Sequence, residues 1–244
     1  LVLDEADEMV SSLKKDLDFI IKDLPKSKRT LLFTATMPGT IKQLVQNYMP
    51  KHLIYIEADM KSIGHQGIDH QYVVVEPIEK LEVLLHFLST KEGERGVIFC
   101  KTKAAVNKLA KKLAINKFSS GAIHGSLTQT IRDRIMGQFR EGYIDILVAT
   151  DLAARGIDIE FLPFVINYEL PRSPKDFIHR IGRTGRAENS GEAITFVSEE
   201  EEHHFKVIQK KMGKLVETLD GPASASTHQC QCREEGLKLG LELK

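Results

Sequence analysis

Short apolar, β-branched runs alternate along this chain with longer stretches in which apolar residues recur every three or four positions. Runs at residues 1–3, 30–34, 53–56, 71–75, 96–100, 144–149, 164–168 and 193–197 predict strands. Helical spacing predicts helices over 78–89, 103–115 and 128–140, with Leu81, Leu84, Leu85 and Leu88 sharing one face. The strand runs are continuously apolar and do not alternate, as expected when both faces of a sheet are covered. Strand–helix–strand alternation of this kind predicts an α/β fold of parallel sheets flanked by helices.

The pattern stops between residues 57 and 69, a polar stretch with two glycines and no periodicity, which reads as a linker. Residues 70–216 then carry enough elements for one complete α/β domain. Residues 1–56 carry about three strands, too few for a stable sheet, and read as the C-terminal part of a first domain. After Val216 the composition turns to Gly221-Pro-Ala-Ser-Ala-Ser-Thr and a charged end, so 217–244 is expected to be disordered.

Composition changes this picture little. The 244 residues are 42% apolar and 28% charged, ordinary for a globular protein. No apolar run approaches the roughly 20 residues that span a bilayer, and the opening Leu-Val-Leu-Asp-Glu is no signal peptide. The absence of an initiator Met, on a chain opening in mid-strand, is expected of a fragment. Lys plus Arg equals Asp plus Glu at 34 each, so no global positive field advertises nucleic acid. Cys100, Cys230 and Cys232 are too few for a disulfide framework, and a cytoplasmic protein is expected.

Candidate chemistry gathers after the strands. Asp4-Glu5-Ala6-Asp7 follows the first, where one carboxylate can hold Mg²⁺ on a nucleotide and its neighbour can polarise water; it can equally be an acidic helix start. Thr34-Ala35-Thr36 follows the second strand and precedes Met37-Pro38, as a hydroxyl relay or a helix cap. Residues 150–158, Thr-Asp-Leu-Ala-Ala-Arg-Gly-Ile-Asp, can offer backbone N–H and hydroxyl to phosphates and a carboxylate to a ribose, or form a turn capped by Asp151. The segment His179-Arg180-Ile181-Gly182-Arg183-Thr184-Gly185-Arg186 concentrates three arginines, the residue suited to charge on a transferring phosphoryl group, between glycines that let the backbone approach a partner. A solvated basic turn has no use for that regularity.

Taken in order, these segments resemble the DEAD-box RNA helicases of superfamily 2, in a bacterial style. Asp4-Glu5-Ala6-Asp7 resembles motif II and Thr34-Ala35-Thr36 motif III, with Thr for the commoner Ser. Ile98-Phe99-Cys100-Lys101-Thr102 resembles motif IV, Gln129-x-x-Arg132 the element beyond it, 150–158 motif V and 179–186 motif VI, together covering residues 1 to about 216. The resemblance implies two RecA-like domains, one partial and one complete, with ATP and RNA bound across the cleft between them. It implies that Asp4 holds Mg²⁺ through water, that Glu5 activates the attacking water, and that Arg183 and Arg186 act as arginine fingers. Asp7, Thr34, Thr36 and His179 are implied to couple hydrolysis to strand separation, and Gly156 and Asp158 to meet the nucleotide, Asp158 at the ribose. Gly125, Gln129, Arg132 and Thr150 are implied to touch the RNA backbone, without reading base sequence. A monomer is expected, with accessory proteins as possible partners and no membrane association.

The sequence departs from the family in places. Gly-x-x-x-x-Gly-Lys-Thr, the phosphate loop, occurs nowhere, nor does an adenine-reading Gln motif, so the 244-residue polypeptide is expected not to hydrolyse ATP alone. His124-Gly125-Ser126 has Ser where the family usually has Asp, and Met9-Val10-Ser11-Ser12-Leu13 lacks the usual Gly-Phe. Two other readings stay open: a non-catalytic RNA-binding or scaffold-binding module formed by the second domain, and a DNA helicase of the same superfamily. Cys230-Gln-Cys232 is read as part of the tail and not as a zinc site. His203-His204 is read as an exposed helix start.

Overall fold

The structure is a computed structural model describing all residues except 26, 35, 51, 58–66, 155–161, 186–190, 213–215 and 220–244. The chain divides into two compact units, Leu1–Ala58 and Asp59–Lys244.

In the first unit β1 (Val2–Leu3) leads into α1 (Ala6–Ser12) and α2 (Lys14–Asp23), and β2 (Leu31–Leu32) is followed by α3 (Gly39–Tyr48). The two strands pair in parallel, Val2 opposite Leu31 and Leu3 opposite Leu32. Leu3, Ala6, Val10, Leu17, Ile21, Ile41 and Leu44 form the core, drawn from β1 and the inward faces of the three helices. The strand expected at 53–56 does not form. Among the described residues no strand pairs with it to complete a ladder, and Ile54 and Ile56 stand 92% and 86% exposed.

The second unit holds β3 (Ile68–Val74), α4 (Lys80–Ser89), β4 (Gly96–Phe99), α5 (Lys103–Ile115), β5 (Ser120–Ile123), α6 (Gln129–Arg140), β6 (Ile146–Ala149), α7 (Asp151–Ala154), β7 (Phe164–Asn167), α8 (Pro174–Ile181), β8 (Gly191–Val197), a 3₁₀ turn (Glu199–Glu201), α9 (Glu202–Met212) and β9 (Glu217–Thr218). All seven strands are parallel, in the order β5-β6-β4-β7-β8-β3-β9. Every residue of β4, β6 and β7 is buried, as their unbroken apolar runs predict. Side-chain hydroxyls of Thr102, Thr128 and Ser173 cap α5, α6 and α8, and Pro174 opens α8 with its ring where no N–H is needed. His203 and His204 are exposed in the first turn of α9, where His204 Nε2 lies 3.0 Å from the Pro171 carbonyl.

Several elements differ from the sequence expectation for reasons of pairing. β3 begins at Ile68, inside the expected linker, because residues 68–70 pair with Gly191–Ala193 and Ile68 packs in the core. β9 takes residues 217–218 from the expected disordered tail by pairing with Gln71 and Tyr72; residues 220–244, Cys230 and Cys232 among them, lie outside the described residues. β5 was not predicted, since Ser-Gly-Ala-Ile has little intrinsic strand preference and pairing with β6 alone makes it a strand.

The candidate nucleotide and nucleic-acid site

The carboxyl ends of β4, β6 and β7 meet over Arg180, in the last turn of α8. Its side chain is only 1% exposed. The guanidinium donates through Nε to Asp151 Oδ1 at 2.5 Å and through Nη2 to Asp151 Oδ2 at 2.9 Å. Nη1 donates to the Glu169 carbonyl at 2.7 Å and to Asn167 Oδ1 at 3.1 Å. The guanidinium also lies over the Phe99 ring, 5.0 Å from its centroid. A charge so buried costs several kcal/mol unless paired and hydrogen-bonded, and here it is paired and all three guanidinium nitrogens donate. The network continues inward, with Asn167 Nδ2 donating to Thr195 Oγ1 at 3.1 Å and His70 Nε2 3.5 Å from that oxygen.

Arg180 thus belongs to the scaffold, and its neighbours face outward around it. Phe99, Asp151, Ala154, Asp176, His179, Arg180 and Arg183 line a concavity. Arg183 follows α8, its N–H bonded to the Arg180 carbonyl and its own carbonyl accepting from Leu162. One glycine of this segment answers to the chain itself. Gly185 sits at φ +62°, where an added Cβ would stand 2.4 Å from Ile68 Cγ1, so both conformation and close packing demand glycine. The Thr184 hydroxyl is spent on the Leu162 carbonyl. Asp151 is the bidentate partner of Arg180, more than a turn cap. Gly156, Asp158 and Arg186 lie outside the described residues.

A second group lies on the rim formed by the adjacent ends of β5 and β6. Gly125 is exposed just past β5 and Thr150 follows β6. Thr150 N–H already donates to the Ile123 carbonyl at 3.3 Å and its carbonyl takes Ala153 and Ala154, so its hydroxyl is the group left for a ligand. Gln129 and Arg132 are on α6; Arg132 makes only long bonds, 3.4 Å to Gln129 Oε1 and 3.5 Å to the Ala153 carbonyl, and its Nε has no partner. His124 beneath them is buried, 3.2 Å from Asn107 Oδ1 through Nε2, while Nδ1 accepts from Ser126 N–H at 3.3 Å. Burial, and then the Lys103 charge, hold this imidazole below its ordinary pKa.

In the first unit Glu5 occupies left-handed backbone at φ 47°, ψ 45°, a conformation that costs a residue with a side chain about 1–3 kcal/mol. It is held there because Ala6 N–H reaches across to the Phe33 carbonyl at 3.0 Å while the Glu5 carbonyl starts α1. Asp4 is exposed; its Oδ1 accepts from Glu5 N–H at 2.9 Å, leaving the other oxygen open. Among the described residues no three His, Cys, Asp or Glu cluster as metal ligands. One open carboxylate nonetheless suits Mg²⁺, which takes one or two and fills its shell with water and phosphate oxygens. Asp7 Oδ2 accepts from Thr36 Oγ1 at 2.6 Å and from Thr36 N–H at 3.2 Å, while Thr34 Oγ1 donates to the Thr36 carbonyl at 2.7 Å. The threonines therefore brace the acidic turn. His179 belongs to the second unit.

The sequence placed Arg180 in a candidate segment without a role of its own, and offered no reading of Asn167 or Glu169 as parts of this site. Asn167, a polar residue ending an otherwise apolar strand, was the one available signal.

A seven-stranded parallel sheet with its polar groups gathered past the strand ends defines a RecA-like domain. Residues 79–188 match the helicase conserved C-terminal domain and residues 1–44 the DEAD/DEAH box helicase family. The chain is 40% identical to the ATP-dependent RNA helicase CshA of Listeria monocytogenes over 224 residues, 91% of this chain and 43% of that protein. It superposes on S. cerevisiae Dbp5 bound to RNA and ADP BeF3 with a TM-score of 0.80 and 32% identity, over 89% of this chain and 58% of that one. The E. coli DEAD-box protein SrmB, solved bound to the regulator of ribonuclease activity A, is 30% identical with a TM-score of 0.60, over 64% of this chain and 92% of that one. The chain belongs to the DEAD-box helicase family. It spans less than half the length of the curated relative.

Proposed function

We propose that this chain forms part of an ATP-dependent RNA helicase, in which RNA-stimulated ATP hydrolysis drives local duplex unwinding or remodelling of RNA–protein complexes in the cytoplasm. The observation that carries the reading is the locked Arg180, which holds the turn bearing His179 and Arg183 rigid beside an open concavity. In this reading Arg183 and Arg186 neutralise charge on the transferring phosphoryl group, Glu5 polarises the attacking water, and Asp4 holds Mg²⁺ through water. Bound Mg²⁺ supplies charge neutralisation on the ATP phosphates. Gly156 and Asp158 meet the nucleotide. Asp7, Thr34, Thr36 and His179 couple hydrolysis to RNA, which lies along Gly125, Gln129, Arg132 and Thr150. Contacts of that kind are local, which reconciles RNA binding with a net charge of zero.

A phosphate-release assay tests the reading. With ATP, Mg²⁺ and RNA the 244-residue chain is expected to give no turnover, since its sequence holds no Gly-x-x-x-x-Gly-Lys-Thr. Fusion to a segment supplying that loop from a relative is expected to give RNA-stimulated turnover. Arg183→Ala then lowers it by on the order of 10³-fold. Turnover indifferent to Arg183, or stimulated equally by DNA, overturns the assignment.

A further inference from the structure

The outer face of α5 carries charge that the fold itself does not use. Val106, Leu109, Ala110 and Leu113 turn inward. Lys108, Lys111 and Ile115 recur at i, i+3 and i+7 on the opposite, exposed face, with Lys112 beside them half-buried. Residues 103–117 hold no Asp or Glu. Among the described residues no carboxylate pairs with Lys108, Lys111, Lys112 or Lys117. Lys108 has like charges three and four residues on, at Lys111 and Lys112, an arrangement that works against the helix. The negative end of the helix dipole favours lysines in the last turn but does nothing for Lys108 in the middle.

The end of α5 points the same way. Lys117 N–H bonds the Ala114 carbonyl and Phe118 N–H the Leu113 carbonyl, both at 3.0 Å, a closing pattern that usually puts glycine at this place. Lys117 stands there exposed at φ 67°, so the chain keeps a lysine where glycine would relieve strain. Between the lysines Ile115 is 79% exposed. From Lys108 to Ile115 the face runs about 10 Å, the reach of three or four residues of extended chain.

We propose that the outer face of α5, from Lys108 to Lys117, docks a short acidic segment of a partner protein, with Ile115 as its apolar anchor. The lysines meet carboxylates, and Ile115 meets an aliphatic side chain carried between them. A nucleic-acid strand matches the charge but has no use for Ile115, and residues 103–117 hold no aromatic ring on which a base could stack. The face also lies away from Gly125 and Thr150, since Lys117 precedes β5 and Gly125 follows it. The inference is therefore independent of the RNA reading.

The test is fluorescence anisotropy of the full 244-residue chain at low salt with three labelled probes. One is a peptide of three Glu-Glu-Leu-Glu repeats, the second has Ser for each Leu, and the third is an oligouridylate of equal charge. The Leu peptide is expected to bind with a Kd below about 100 μM and the Ser peptide about 10-fold more weakly. Lys108→Gln combined with Lys111→Gln is expected to weaken the Leu peptide by about 5- to 10-fold, and Ile115→Ser to abolish the difference between the two peptides. Lys117→Gly is expected to weaken it by about 2- to 5-fold while raising the urea midpoint, opposite signs that a merely structural lysine would not give. A Kd above about 1 mM for the Leu peptide, equal binding of the two peptides, or affinity indifferent to the lysine substitutions overturns the proposal. Oligouridylate binding that falls with the same substitutions as steeply as peptide binding also overturns it, in favour of a nucleic acid on this face.

Discussion

The two units of this chain build sites on very different foundations. The second surrounds its arginine with a seven-stranded sheet whose central strands are wholly buried, and every side-chain nitrogen of Arg180 finds a partner. The first carries its acidic turn on a sheet of two strands, two residues each, and leaves Val2, Leu31 and Phe33 roughly half exposed. Local geometry is nevertheless well formed in both: Glu5 is held in its strained conformation and Thr36 is bonded to Asp7. Backbone ladders and side-chain hydrogen bonds suffice to shape a turn, whereas the resistance of that turn to unfolding depends on the apolar area behind it.

The contrast can be broken at Arg180 first. Arg180→Ala strands Asp151 beside the concavity and unpairs Asn167 and the Glu169 carbonyl, so it is expected to destabilise the second unit by about 3–5 kcal/mol in urea unfolding. Arg180→Lys is expected to recover only part of this, since an ammonium lacks the planar fork that meets both Asp151 oxygens. A loss below about 1 kcal/mol would show the network to be incidental.

Gly185→Ala comes next, at about 1–3 kcal/mol, from the positive φ and the collision with Ile68. In the first unit Thr36→Val removes the bond to Asp7 at an expected cost of about 1–2 kcal/mol. Hydrogen exchange sharpens the comparison directly. Amides of α1 are expected to exchange faster than those of β4 and β6 in the unsubstituted chain, and equal protection would mean that the smaller core is not the weaker one.

The smallest effect is one of pH. His124 is held below its ordinary value of 6.5, chiefly by burial and then by Lys103, so the unfolded chain binds the proton more readily than the folded one. Its contribution to stability is complete above about pH 6.5, falls as pH drops through that value, and levels off below the folded pKa. His124→Asn is expected to flatten this part of the stability–pH curve, measured by urea unfolding at a series of pH values.

Much of the fold was legible because its signals are local. The helix at Lys103–Ile115 was predicted to the residue, since apolar spacing and a Thr cap specify it without help from the rest of the chain. The strand at 53–56 was predicted on the same kind of signal and did not form, because a strand needs a neighbour and none of the described residues pairs with it. The converse holds for Ser120–Ile123 and Glu217–Thr218, which became strands by pairing with β6 and β3.

The same division runs through the site. The sequence by itself determined the parallel α/β class, the family, and which segments carry carboxylates, hydroxyls and arginines, because strand runs and motif spacing are written in order along the chain. Only tertiary structure decided that Arg180 is buried scaffold while Arg183 faces the concavity, and that Gly185 serves internal packing. Those roles depend on which groups from distant elements come within hydrogen-bonding distance, and residue spacing along the chain carries no record of that.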